Sequence, residues 1–219
     1  MKKHIASILF LFLLSTFQLI AQSHSVKRLG IEQGLSNNYV VSITQDKQGF
    51  LWFATEEGLN KFDGTRFTTY YKNDLTQDNQ GITGNELNRV YADTKHPIIW
   101  IATQRDGLNA YNYNEQTFTA YQHNPENPHS LITNDVTDIA PSTQHDDGLW
   151  ISTYYRGIEY LDITSGQFTH YNKSTVPSLP CDQTWTVLDG GDGNLYIGHV
   201  GSGFSIFSPK DKSVKNFRN

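Results

Sequence analysis

Cys181 is the only cysteine among 219 residues, so no disulfide can form within the chain and stability has to come from packing. A basic excess is also missing, with 17 Lys and Arg against 22 Asp and Glu for a net charge of -5. Without a stripe of positive charge to neutralise phosphates, nucleic acid is not the partner of this region. The eight His residues show no His-x-His, no His-Glu-x-x-His and no Cys pair, so the sequence calls for no metal and no other cofactor. Asp189 to Asn194 looks superficially like a calcium loop, but Val200 stands where the bidentate Glu of an EF-hand belongs. It reads as a Gly-rich turn.

Long apolar runs are absent except at the start. Met1 to His4 is basic, Ile5 to Leu14 is broken only by Ser7, and Leu19-Ile20-Ala21 ends in a small residue suited to cleavage. Residues 1–21 are therefore expected to be a signal peptide, with an exported mature chain starting near Gln22. The run is short for a membrane span, and no Cys near Ala21 offers a lipid acceptor. Membrane attachment is expected only through downstream segments.

Aromatics and turn formers are plentiful: twelve Tyr, twelve Phe, four Trp and 17 Gly. They are ordered in a repeat. Gly49-Phe50-Leu51-Trp52-Phe53-Ala54-Thr55 followed by Gly58-Leu59 returns as Ile98 to Thr103 with Gly107-Leu108, as Gly148 to Thr153 with Gly157-Ile158, and as Gly193 to Gly198 with Gly203-Phe204. The anchors Trp52, Trp100, Trp150 and Tyr196 step by 48, 50 and 46 residues. Phe67 and Tyr70 recur as Phe118 and Tyr121, as Phe168 and Tyr171, and more weakly as Val214 and Phe217. Self-similarity at this period marks a radial or stacked repeat protein.

Within a unit, Tyr39–Gln45, Phe50–Thr55, Leu59–Phe62 and Arg66–Tyr70 read as four strands, the last two joined by Asp63-Gly64, a strong hairpin signal. The second strand is apolar at consecutive positions, which implies burial on both faces, as between the blades of a propeller. The fold class is thus all-β: a β-propeller of four four-stranded blades, spanning 35–80, 81–130, 131–178 and 179–219. Burying a Trp or Tyr anchor removes roughly 150–250 Å² from water, about 4–6 kcal/mol before entropy. A blade realises this only against a neighbour. All four anchors are expected to be buried, and Trp100, with blades on both sides, to matter more for folding than Trp52. Residues 22–34 read as linker and closing strand, the strand being Val26 to Leu29.

The pattern Gly34-Leu35-Ser36-Asn37-Asn38-Tyr39-Val40, then Asp46 to Thr55, then Gly58 to Gly64, resembles the two-component regulator propeller repeat. The resemblance covers residues 26 to 217 and is weakest in the fourth unit. It implies a seven-bladed propeller in the periplasmic sensor region of a hybrid histidine kinase, of which this chain holds the front, without kinase or output domains.

Asn38, Asn85 and Asn134 precede the innermost strands and are candidates either for capping strand entry or for ringing an axial ligand site. The bends between second and third strands vary while the frame repeats, which is where recognition resides on a rigid scaffold. Tyr154, Tyr155, Arg156 and Arg105 on these bends can stack on a sugar ring and pair with its carboxylate or sulfate. No catalytic set can be assembled. The leading expectation is a non-enzymatic periplasmic sensor module that binds an oligosaccharide or other small ligand and self-associates through propeller surfaces; the alternative is a secreted propeller enzyme of lyase type or a binding scaffold.

Overall fold

Turn chemistry cuts each repeat into strands. After the third strand of the first unit, Asp63 Oδ1 accepts Thr65 N, Thr65 Oγ1 and Arg66 N at 2.8, 2.6 and 2.9 Å. These bonds hold the Asp63 carboxyl well below the usual carboxylate range. Asn112 and Asp162 cap the same turn in the next two units. At the bend before the third strand, Thr55 Oγ1 donates to Gly58 O at 2.9 Å, and Thr103 and Thr153 do the same to Gly107 and Gly157. Gly107 needs its φ of 92° there, and a Cβ would collide with the carbonyl of Tyr121.

The computed structural model describes residues 26–73 and 81–218. They form four antiparallel sheets of four strands each. Blade one comprises β1 (Val40–Gln45), β2 (Leu51–Thr55), β3 (Gly58–Phe62) and β4 (Phe67–Tyr70); blade two comprises β5 (Leu87–Ala92), β6 (Ile98–Thr103), β7 (Leu108–Asn112) and β8 (Thr117–Tyr121). Blade three holds β9 (Val136–Pro141), β10 (Gly148–Thr153), β11 (Gly157–Asp162) and β12 (Gln167–Tyr171), and blade four β13 (Thr184–Asp189), β14 (Leu195–His199), β15 (Phe204–Phe207) and β16 (Val214–Phe217). The ladders confirm the repeat register: Phe62 pairs with Phe67, Tyr111 with Phe118, Leu161 with Phe168 and Phe207 with Val214.

Blades stack in sequence order, with β1 against β5, β5 against β9 and β9 against β13. Each joint is one apolar cluster with two distinct halves. Trp52, Ala54 and Leu59 of blade one meet Val90, Ile99, Ile101, Tyr111 and Phe118 of blade two. Trp100, Ala102 and Leu108 meet Ile139, Leu149, Ile151, Leu161 and Phe168, and Trp150 and Ile158 meet Val187, Leu195, Ile197 and Phe207. Backbone bonds stitch the same joints: Gly58 N to Asn85 O at 2.9 Å, Gly107 N to Asn134 O at 3.0 Å and Gly157 N to Asp182 O at 2.8 Å. A buried polar residue in the third strand of each of the first three blades fastens the loop entering that blade. Asn60 Oδ1 accepts Ser36 N at 3.0 Å, Asn109 Oδ1 accepts Thr83 N at 3.1 Å, and the Glu159 carboxylate accepts Ile132 N at 3.2 Å.

Three expectations need correction. Tyr196 is only part-buried, because the anchor side of a blade packs on the following blade and the described chain has none after the fourth. For the same reason Trp52 is as fully enclosed as Trp100, both at 0% exposure. Val26 to Leu29 forms no strand, since no sheet edge is paired with it; the only regular element there is a 3-10 turn at Ile31–Gln33. The expected signal peptide lies outside the described residues.

Candidate functional site

The bends between second and third strands are held over the entry to the innermost strands by backbone bonds. Gln104 N donates to Glu86 O at 2.8 Å, and Tyr154 N to Asp135 O at 3.1 Å. Thr103 Oγ1 and Thr153 Oγ1 accept Asp106 N and Arg156 N, fixing the course of each bend. Two bends and three inner strands thereby enclose a cavity of about 350 Å³. Its walls are Gln104 and Arg105 from blade two, Tyr154 and Tyr155 from blade three, and Trp185 from β13. Asn88, Asp135 and Thr137 supply polar atoms toward the axis.

The aromatic wall is an angular cluster. Tyr154 and Tyr155 meet edge to face with centroids 4.3 Å apart, and Tyr154 and Trp185 likewise at 6.1 Å. Trp185 keeps 56% of its surface exposed and Tyr155 54%, so each offers a ring face to solvent. Desolvation, with Tyr154 alongside, holds the Tyr155 phenol above its usual range, so it is a neutral hydroxyl at physiological pH. Among the described residues Arg105 has no ion-pair partner, whereas neighbouring Asp106 is paired with Lys72 at 3.3 Å. The pocket thus combines flat apolar faces, a free guanidinium and the Asp135 carboxylate.

The axial side of the pocket is continuous with a second hollow that shares Asn88, Thr137 and Trp185. There Arg89 Nε meets Asp138 Oδ1 at 3.1 Å, and the other Asp138 oxygen accepts Thr186 Oγ1 and, at 3.3 Å, Val187 N. One carboxylate therefore ties the inner strands of blades two, three and four together.

Of the residues singled out in the sequence, the structure brings Arg105, Tyr154 and Tyr155 into this pocket. Arg156 is exposed on the same bend but does not line it. Asn38, Asn85 and Asn134 are engaged as caps: their Oδ1 atoms accept Ile31 N, Lys72 N and His123 N at 3.1, 2.6 and 2.7 Å. Sequence reasoning missed Trp185, whose signal was a Trp in the otherwise polar stretch Asp182-Gln183-Thr184-Trp185-Thr186. It also missed Glu159 and His170. Buried Glu159 accepts His170 Nδ1–H at 2.9 Å, while His170 Nε2 lies 3.0 Å from Pro128 O, clasping the 123–131 loop to blade three.

Four stacked four-stranded blades define the propeller class of fold. Residues 34–57 match the family model "Two component regulator propeller". Among solved structures, the chain is similar to the extracellular domain of a hybrid two-component system of B. thetaiotaomicron at 72% identity, with TM-score 0.84 over 87% of this chain and 26% of that one. Another such domain from that organism matches at 24% identity and TM-score 0.70, over 88% of this chain and 27% of the other, which shows the fold alone. The histidine kinase P4 of Formosa agariphila is 42% identical over 66 residues, 30% of this chain and 5% of that protein. The chain thus spans about a quarter of the solved extracellular domains and about a twentieth of the kinase. No helix among the described residues is long and apolar enough to cross a membrane.

Proposed function

We propose that this chain is a ligand-sensing part of a periplasmic two-component sensor and that the pocket between blades two, three and four binds an oligosaccharide or another glycan-derived ligand. The convergence of Arg105, Tyr154 and Tyr155 with Trp185 around one cavity carries this reading. Ring faces stack on the apolar face of a sugar, Arg105 pairs with a carboxylate or sulfate, and Asp135 and Asn88 take hydroxyls. A pocket of this size and mixed lining is of the kind that holds small ligands. The chain itself is a binding module, not an enzyme; phosphoryl chemistry belongs to other parts of a full-length parent. There the ligand acts by binding one of two states of the sensor more tightly.

The experiment is a titration of the chain with defined oligosaccharides, neutral and uronate- or sulfate-bearing, followed by Trp fluorescence and calorimetry. Saturable binding is expected, weakened at least about tenfold, near 1.4 kcal/mol, by Tyr155→Ala or Arg105→Ala and unchanged by Arg156→Ala. Binding indifferent to Tyr155→Ala and Arg105→Ala overturns the assignment, and turnover of the glycan would support a lyase-type enzyme instead.

A further inference from the structure

The indole N–H at the anchor position is treated differently at the third joint. In blade one, Trp52 Nε1 donates to Asp46 Oδ2 at 2.7 Å, and in blade two Trp100 Nε1 donates to Asp93 Oδ2 at 3.2 Å. The other oxygen of each carboxylate caps its turn, accepting Gln48 N and Phe50 N, or Lys95 N and His96 N. Blade three has Ser142 at this position. Its single oxygen keeps the cap, accepting Gln144 N and His145 N at 3.3 and 3.2 Å. Trp150 Nε1, on a side chain only 6% exposed, is left buried with no hydrogen-bond partner among the described residues.

A second exchange lies beside the same ring. Tyr113 packs against the first joint and Ile163 against the second, and their N–H groups close the turn by donating to Pro97 O and Asp147 O at 3.0 and 2.8 Å. The ladder registers place Pro209 at the equivalent point of blade four. Proline has no N–H, so Pro209 cannot make the equivalent bond from its backbone nitrogen. Beside Pro209 lies a cavity of about 470 Å³, lined also by Trp150, Ser142, His145, Asp192, Asn194 and Lys210. One water, about 30 Å³ of liquid volume, occupies little of it.

We propose that this cavity between blades three and four is a binding site for a neutral sugar or similar polyol, one of whose hydroxyls takes the Trp150 N–H. The lining decides the class. The Asp189 carboxylate feels the same indole N–H, yet its hydrogen bonds go to Thr143 N, Thr143 Oγ1 and Gly191 N. In the wall Lys210 offsets Asp192, and the carboxylate of Asp189 beside the N–H repels a ligand anion at that point. A hydroxyl accepts from Trp150 and donates to a carboxylate, which a carboxylate ligand cannot do. The site is distinct from the axial pocket and does not rest on it.

The indole N–H resonances of the whole chain test this directly, because Trp150 reports this cavity and Trp185 the axial pocket. Titration with D-glucose, D-galactose and D-mannose is expected to shift the Trp150 resonance, identified by its loss in Trp150→Phe, with millimolar saturation by at least one hexose. Ser142→Asp restores the carboxylate of blades one and two. It should abolish that shift and raise the melting midpoint by about 3 °C, while Arg105→Ala leaves the shift intact. If Ser142→Asp does not fold, Pro209→Ile supplies the cover present in blade three and should weaken the hexose at least tenfold. The proposal is overturned if no hexose moves the Trp150 resonance, if only glucuronate or inorganic phosphate does so, or if the folded cavity-filling variant responds as the unmodified chain does. A crystal soaked in the best hexose that shows only water at Trp150 also overturns it.

Discussion

The interior faces and the end faces of this stack are built from the same residues of the repeat and live in opposite environments. Val90, Ile139 and Val187 are buried against the preceding blade, Val90 at 2% exposure, but their counterpart Ile43 in blade one is 59% exposed. At the other end, Leu59, Leu108 and Ile158 are at 0%, while Phe204 of blade four is 44% exposed and stacks on Phe217 for lack of a further sheet. β10 is buried along its whole length, whereas the outer strands of this series, β2 and β14, alternate. The difference teaches that side-chain identity does not set burial here. Position in the stack does, and the two end faces are the two halves of one joint.

The largest test of that contrast is charge. Val90→Asp should cost more than about 4 kcal/mol in urea unfolding, because it buries an unpaired carboxylate, whereas Ile43→Asp should stay within about 0.5 kcal/mol. Equal losses would break the distinction between inner and end faces. Next come the anchors: Trp52→Ala and Trp100→Ala should each lose roughly 3–5 kcal/mol, and Tyr196→Ala clearly less. A much smaller loss for Trp52 than for Trp100 would mean that the first joint is looser than its geometry indicates. Gly107→Ala, forced into positive φ against the Tyr121 carbonyl, should cost about 1–3 kcal/mol. Because the end faces are complementary, the chain should also associate head to tail as its concentration rises. Light scattering on the unmodified chain and on Phe204→Asp checks this, the variant being expected to shift toward monomer.

The smallest effect separates a clasp inside blade three from its neutral counterparts in blades one and two. Hydrogen bonding to Glu159 raises the His170 pKa, and complete burial raises that of Glu159. Both are higher folded than unfolded, so the stabilisation they provide is full below the unfolded values and is lost as pH rises through the folded ones. The melting difference between the unmodified chain and His170→Ala should therefore be widest below about pH 6 and should narrow in mildly alkaline buffer. Asn109→Ala, at the same position of blade two, should show a difference that does not change with pH. A pH-independent loss for His170→Ala would reduce the clasp to packing.

Legibility followed locality. The strand boundaries were readable to about a residue because Asp-Gly turns and the Trp-x-Ala-Thr bend are short-range chemistry, carried by Asp63, Thr55 and Gly58. Arg105, Tyr154 and Tyr155 were readable as candidates because they vary within a fixed frame, and the structure brings them to one cavity. Asn60 and Asn109 belong to the repeat but carried no reading in the sequence, because their role of holding Ser36 and Thr83 depends on a loop 24 or 26 residues away.

By itself the sequence determined the fold class, the number of blades and the strand register, since these follow from a repeated pattern of turn formers and apolar runs. The tertiary structure decided which side of each blade carries the anchor, and hence that Trp52 is enclosed while Tyr196 is not. It also decided that Trp185 completes a pocket with bends from two other blades and that Trp150 lacks the acceptor its counterparts have. Those outcomes depend on which residues from separate blades meet across a joint. A one-dimensional pattern repeats the parts without stating how neighbouring copies face each other.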